Sequence, residues 1–442
     1  MTGDPARRWR LAAALAAAIL TASAYLGQEV IGIRLQALLG VFAFLALICA
    51  CSKDLRAVSW RTVGWGAALQ VGLALLILKL EIDGRRPFFE LFRLAGAAVG
   101  KFLEFTNAGS QFVFGVLADQ AAMSKVFPNG FVFAFTALPT IIFVSSFFTV
   151  LYFFGVLQFV VRLFARMMMY LMRTSGAETL SAAANVFMGQ TEAPIIVKPY
   201  VPMMTQSELL ALMTGGMATI SGGVMAVYIA LGADPVAILT TSVMAAPCGL
   251  YLAKILYPET EEPVTRGEVK VAVERRHVND IDAAAAGASD GVVLAINVAA
   301  MLIAFLAFIA LADYLLGLLR PGLSLARLFG WIFAPVAVLI GVPRADVPAV
   351  ADLLGTKLVA NEFVAYVKLT TEYRDAIDPR SYSLATFALT GFANFASIGI
   401  QLGGIGGMAP ARRGDLARLG GRALLAGFVA TLINAAVAGM LL

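Results

Sequence analysis

The chain has 442 residues, of which 60% are hydrophobic and only 14% charged, with a mean hydropathy of +0.84. Soluble domains are about 45–50% apolar and about 25% charged, so this composition excludes a large soluble protein and defines a polytopic membrane protein. The net charge of +5 is modest; it fits basic loops on one side of a bilayer rather than nucleic-acid binding.

Every backbone group in lipid must be paired within the chain, so helices are the expected spans. Arg7, Arg8 and Arg10 precede the first apolar run, 11–27. It reads as a membrane helix rather than a signal peptide, because no small polar cleavage region follows and a second run starts almost at once. Runs 35–52 and 59–79 come next. Segment 86–118 is mixed: Phe and Leu recur at helical spacing among Lys101, Glu104, Asn107 and Gln111. It reads as an amphipathic helix on the membrane surface, completing an N-terminal scaffold unit over 1–130.

The next span is 131–158. After it, 176–205 carries Pro194, Pro199 and the run Gly189-Gln190-Thr191-Glu192, which suits a re-entrant hairpin buried in protein. Spans 206–231 and 235–256 close a first unit, 131–256. The polar stretch 257–285 has no apolar run, and 257–290 is expected to be a cytoplasmic loop. A second unit, 291–442, holds spans 291–317, 384–408 and 423–441, with a second hairpin over 346–378. The expected fold class is therefore an all-α polytopic membrane protein of about nine transmembrane helices with two re-entrant hairpins.

Basic residues cluster at the N-terminus, at Lys53/Arg56/Arg61, at Arg162/Arg166/Arg173, at Arg266/Lys270/Arg275/Arg276 and at Arg412/Arg413/Arg418/Arg422. All fall on one side if 176–205 enters and leaves by the same face. That side is the cytoplasm, which puts the N-terminus inside and the C-terminus in the periplasm or extracellular space.

The two units read alike. Thr214-Gly215 aligns with Thr390-Gly391, and Ser221 with Ser397, seven residues on in each case; upstream, Thr191-Glu192 matches Asn361-Glu362. Each unit then runs long helix, short interfacial helix, hairpin with a Glu, glycine-rich broken helix, last helix. An odd number of spans separates the two, so the second is expected to be upside down. Inverted repeats with discontinuous helices are a transporter signature.

An ionisable group at membrane depth costs about 2.5–3.5 kcal/mol, so Glu192 and Glu362 need a reason. They either line a water-filled substrate cavity or pair with a cation, for which Lys198 is available to Glu192. Glu362 with Asn394 and Ser397, three apart, offers acceptors suited to vicinal hydroxyls. Gln190 and Thr191 offer a donor and acceptor for a flat heterocycle edge. Phe392 either stacks on a ligand or packs. Asn185 and Thr219, beside the breaks, have side-chain oxygens suited to a monovalent cation.

Cys49, Cys51 and Cys248 show neither metal spacing nor a disulfide framework, and His277 is the single histidine. Gly287-Ala-Ser289-Asp-Gly291 fits G-x-S-x-G formally but lacks a strand–turn–helix context. No H-E-x-x-H, P-loop or C-x-x-C occurs, so an enzyme is not expected.

The chain resembles the concentrative nucleoside transporter family over about residues 35–442. The resemblance rests on SAAANVFMGQTEAPIIVKPYVPMMTQSEL (181–209), MTGGMATISGGVMAVY (213–228), KLVANEFVAYVKL (357–369) and GFANFASIGIQLGGIGGMAPARRGD (391–415). It implies a plasma-membrane symporter importing nucleosides such as uridine and adenosine on an inward sodium gradient. The implied assembly is a homotrimer with an outer scaffold and an inner body that moves like an elevator. Gln190, Thr191 and Glu192, with Val224, match positions that engage the base; Glu362, Asn394 and Ser397 match those that hold the ribose. Asn185 and Thr219, with the carbonyls of Met188 and Ile220, match sodium ligands. Met188 replaces another apolar residue, which a carbonyl ligand tolerates. Gly189-Gln190 resembles members that accept both purine and pyrimidine nucleosides. No cofactor other than the coupling ion is implied. Proton coupling is the rival reading, and a passive channel for a polar solute a more distant one.

Overall fold

The computed structural model describes residues 5–123, 125, 132–265 and 278–442. One basic cluster, Arg266, Lys270, Arg275 and Arg276, and His277 lie outside the described residues. Apart from one isolated bridge between Ile82 and Arg85, the regular elements among the described residues are helices. Eight helical stretches there are long and apolar enough to cross a bilayer.

The N-terminal part contains α1 (Pro5–Leu26), α2 (Ile33–Ala50), α3 (Trp60–Leu78), α4 (Pro87–Phe114) and the short α5 (Gln120–Met123). Ser59 caps α3 by accepting from the Thr62 amide. The buried residues of α4 are Gly96, Leu103, Thr106 and Ser110, a single stripe as its amphipathic sequence requires.

The next elements are α6 (Phe133–Phe153), α7 (Val156–Met172), the hairpin arms α8 (Gly176–Ala184) and α9 (Ala193–Ile196), the broken helix α10 (Gln206–Ala218) and α11 (Gly222–Ala230), and α12 (Pro235–Leu256). The second series is α13 (Asp280–Leu319), α14 (Leu325–Leu339), hairpin arms α15 (Val347–Val359) and α16 (Glu362–Thr371), α17 (Pro379–Leu389) and α18 (Phe395–Met408), and α19 (Arg413–Leu441). The order of elements is the same in both series. Capping side chains punctuate the breaks: Ser221 starts α11, Asn361 starts α16 and Asn394 starts α18, so the structural counterpart of Ser221 is Asn394 rather than Ser397, which lies inside α18.

Three boundaries differ from the sequence expectation. The span drawn over 131–158 ends at Phe153, because Gly155 is left-handed (φ 79°) and turns the chain into α7. The loop drawn to 290 is shorter, because Asn279 accepts from the Asp282 amide at 2.8 Å and starts α13 at Asp280. The 384–408 span is two shorter helices, α17 and α18, with the chain unwound between them.

Burial separates inside from outside. In α1 and α13 only 11% and 18% of the apolar window is buried, against 89% for both α10–α11 and α12, so the former face outward and the latter form the interior. The formal G-x-S-x-G match lies inside α13 as a helix-packing face: a Cβ on Gly287 would meet the Ser146 Cα at 2.8 Å, and one on Gly291 the Ile142 Cα at 2.7 Å.

Candidate functional site

The two breaks touch. The Phe392 amide donates to the Thr219 carbonyl at 3.1 Å. Gly391 beside it has φ 151°, and a Cβ there would lie 2.6 Å from Thr431 Cγ2 and 3.0 and 3.1 Å from the carbonyl oxygens of Ala218 and Met217. Only glycine fits this conformation and this approach.

Around that joint a line of polar side chains runs between the units. Glu362, the first residue of α16, is buried. Its Oε1 accepts from the Tyr228 hydroxyl at 3.1 Å and its Oε2 from Asn394 Nδ2 at 2.9 Å. Asn394 Oδ1 accepts from the Ser397 amide at 2.9 Å, so Asn394 caps α18 rather than sharing its face. Ser397 Oγ accepts from Gln190 Nε2 at 3.2 Å, and Gln190 Oε1 accepts from Gln401 Nε2 at 3.2 Å. Gln401 Nε2 also donates to the Met213 carbonyl at 3.0 Å. Residues of both hairpins and both broken helices thus meet in one place. Thr191 packs closely on α18, where a Cβ on Gly404 would lie 2.6 Å from its Cγ2. Val224 is buried one turn before Tyr228, and Phe392 is half-buried against the core.

Glu192 differs from Glu362. Its Oε2 accepts from the Gly189 amide at 3.0 Å, yet its side chain stays exposed to a cavity of 220 Å³ that Phe148, Met188, Ser221 and Asp290 also line. Lys198 is exposed, and among the described residues no ion pair joins it to Glu192. The cation partner available in the sequence is therefore not engaged.

Asn185 ends the first hairpin arm. It is buried, and neither its Oδ1 nor its Nδ2 has a hydrogen-bond partner. An unpaired buried amide costs about 1–3 kcal/mol, so it asks for a ligand. A Cβ on Gly215 would sit 2.9 Å from Asn185 Nδ2, and the Thr219 hydroxyl donates to the Gly215 carbonyl at 2.9 Å. Met188 and Ile220 flank the bond from the Gly222 amide to the Phe187 carbonyl, 2.9 Å. The donor set is amide, hydroxyl and carbonyl oxygen, the chemistry of a hard cation.

Tyr228 and Gln401 escaped the sequence reading. Helical spacing was the available signal: Tyr228 lies four residues after Val224, and Gln401 four after Ser397.

Fold and site together define a multi-pass helical membrane protein with hairpins and discontinuous helices, the architecture of secondary transporters. Three family models match the chain: Na+ dependent nucleoside transporter N-terminus over residues 39–117, Nucleoside recognition over 134–235, and Na+ dependent nucleoside transporter C-terminus over 237–439. An uncharacterized transporter of Haemophilus influenzae is 42% identical, covering 92% of this chain and 97% of that protein. Sodium/nucleoside cotransporter 1 of Mus musculus is 43% identical over 92% of this chain but 64% of its own length, so the chain spans less than two thirds of that relative. Among solved structures, CNTnw in an inward-facing substrate-bound state superposes with a TM-score of 0.87 at 39% identity, covering 92% of this chain and 98% of that one. The chain belongs to the Na+ dependent nucleoside transporter family.

Proposed function

We propose that the protein is a symporter that carries nucleosides, such as uridine and adenosine, into the cell on an inward sodium gradient. The observation that carries this reading is the polar line from Tyr228 through Glu362, Asn394 and Ser397 to Gln190 and Gln401. A buried carboxylate beside a buried amide matches the vicinal hydroxyls of a ribose, which donate to Glu362 and accept from Asn394. Ser397 completes that end, and Phe392 borders it. Gln190 and Thr191 face a base with paired donor and acceptor; Glu192 accepts from an exocyclic amine or ring N–H; Val224 supplies an apolar wall.

The coupling ion lies between Asn185 and Thr219 with the carbonyls of Met188 and Ile220, giving the unpaired Asn185 a partner. The first unit, 131–256, and the second, 291–442, are oppositely oriented repeats, and the parallel order of their elements supports this. The outward-facing helices and residues 1–130 act as scaffold in a homotrimer of the plasma membrane, and the buried hairpins and broken helices move as an elevator. The N-terminus is cytoplasmic and the C-terminus external, as the basic loops favour.

The test is uridine uptake into proteoliposomes under a sodium titration at fixed pH. Accumulation against a gradient that rises with external sodium is the expected result. Uptake that ignores sodium and follows a pH gradient would replace sodium by protons, and equilibration without accumulation would make the protein a channel.

A further inference from the structure

Three lysines lie largely buried in the interior, and they are not alike. Lys254 pairs with Glu178 at 2.7 Å and Lys368 with Asp352. Lys357, fully buried on the first arm of the second hairpin, makes no direct ion pair among the described residues, although the Glu362 carboxylate lies near enough to act on it. Its Nζ donates to the Ala388 carbonyl at 2.7 Å and to Thr431 Oγ1 at 2.9 Å, and lies 5.5 Å from the centre of the Phe428 ring. A buried ammonium is costly by several kcal/mol when its direct contacts are all neutral, so these partners call for an explanation.

The place supplies one. Ala388 is in the last turn of α17, where helix carbonyls lack donors and the helix dipole is negative. The corresponding place in the first series is the last turn of α10, and the residue that reaches it from the corresponding hairpin arm is Asn185, beside Gly215. There the side chain is buried and unpartnered. One series thus leaves an unpartnered amide at the end of its half-helix; the other fills the corresponding place with the amino group of Lys357. Thr431 joins them, since it accepts from Lys357 and its methyl abuts Gly391 at the joint between the breaks.

We infer that Lys357 is a tethered cation, occupying in the second unit the position that the coupling ion occupies in the first. It is a positioning residue: it holds the end of α17, and hence Asn394 and Glu362, in the state that sodium must induce around Thr219. The inference rests on the proposed sodium coupling. It deepens that reading by making the second break independent of a free ion, so that a single sodium serves both breaks.

The test compares wild-type protein with Lys357→Gln and Lys357→Met in proteoliposomes, reading the sodium dependence of uridine uptake, and in detergent, reading sodium-dependent thermal stabilisation without nucleoside. Lys357→Gln vacates a niche lined by oxygens that a second sodium can enter. Its half-saturating sodium should rise about tenfold, with a slope of about 2 in place of about 1. Its thermal stability should recover as sodium is raised. Lys357→Met fills the niche with a thioether and should gain neither slope nor recovery. A folded Lys357→Gln with the wild-type sodium midpoint and slope overturns the inference while leaving sodium coupling intact. So do uncharged variants that fail to fold at every sodium concentration, since the lysine is then structural. A wild-type protein indifferent to sodium overturns the coupling reading and this inference together.

Discussion

At the scale of single residues, the two acidic positions differ in their surroundings. Glu362 is buried, with both oxygens engaged by Tyr228 and Asn394, whereas Glu192 keeps one oxygen on the Gly189 amide and faces the cavity. Hydrogen bonds to a charged acceptor contribute about 1.5–3 kcal/mol. Glu362→Gln should therefore weaken nucleoside binding by about tenfold or more in a protein that still folds; calorimetry with uridine checks it, and unchanged affinity removes Glu362 from the ribose site. Tyr228→Phe deletes one donor and should cost less, about 0.5–1.5 kcal/mol. Thr219→Ala should raise the sodium concentration for half-maximal uptake, while Thr219→Ser, which keeps the hydroxyl, should not. Equal behaviour of the two would make the hydroxyl irrelevant to the ion.

At the scale of elements, the joint between the breaks leaves little room for change. At Gly391 a methyl group would meet Thr431 and two backbone carbonyl oxygens in a conformation that L side chains rarely adopt. Gly391→Ala should lower the melting temperature, by a destabilisation of about 1–3 kcal/mol or more; a variant as stable as wild type would mean the breaks separate easily.

The elements were legible in the sequence where pattern and punctuation agreed. Hairpin 346–378 contains α15 and α16, and 176–205 contains α8 and α9, because polar residues and prolines interrupt otherwise apolar chain. The start of α13 was hidden because Asp280, Asp282 and the alanines after them carry no apolar stripe, although Asn279 caps the helix. Tyr228 was hidden in an apolar run, GGVMAVYIA, where an aromatic reads as packing. That Asn394, Ser397 and Glu362 lie together was legible because polar groups at membrane depth are costly and must find partners. That Gln190 reaches both Ser397 and Gln401 was not, since that contact spans 207 and 211 residues of sequence.

At the scale of the whole molecule, orientation is the property on which alternating access depends. Ala283, near the start of α13, is fully buried and unsuited to labelling, but Val278 just before that helix and Ala345 before the second hairpin are exposed. In a background without Cys49, Cys51 and Cys248, a cysteine at Val278 should react with an impermeant thiol reagent from the cytoplasmic side alone. One at Ala345 should react from the outside alone. Labelling of both from the same side would show that the two units are not inverted.

The bond from the Phe392 amide to the Thr219 carbonyl places the element that would hold the sugar one peptide group from the element that would hold the ion. Whatever orders one must alter the free energy of ordering the other, and equilibrium thermodynamics makes such an effect mutual. If sodium tightens uridine binding by some factor, saturating uridine must tighten sodium binding by that same factor. Paired titrations, each ligand varied at fixed concentrations of the other, should give one coupling constant. That constant should collapse toward unity in a variant that opens the joint. The protein would then still bind both ligands, yet an ion gradient would no longer bias the direction in which the solute moves.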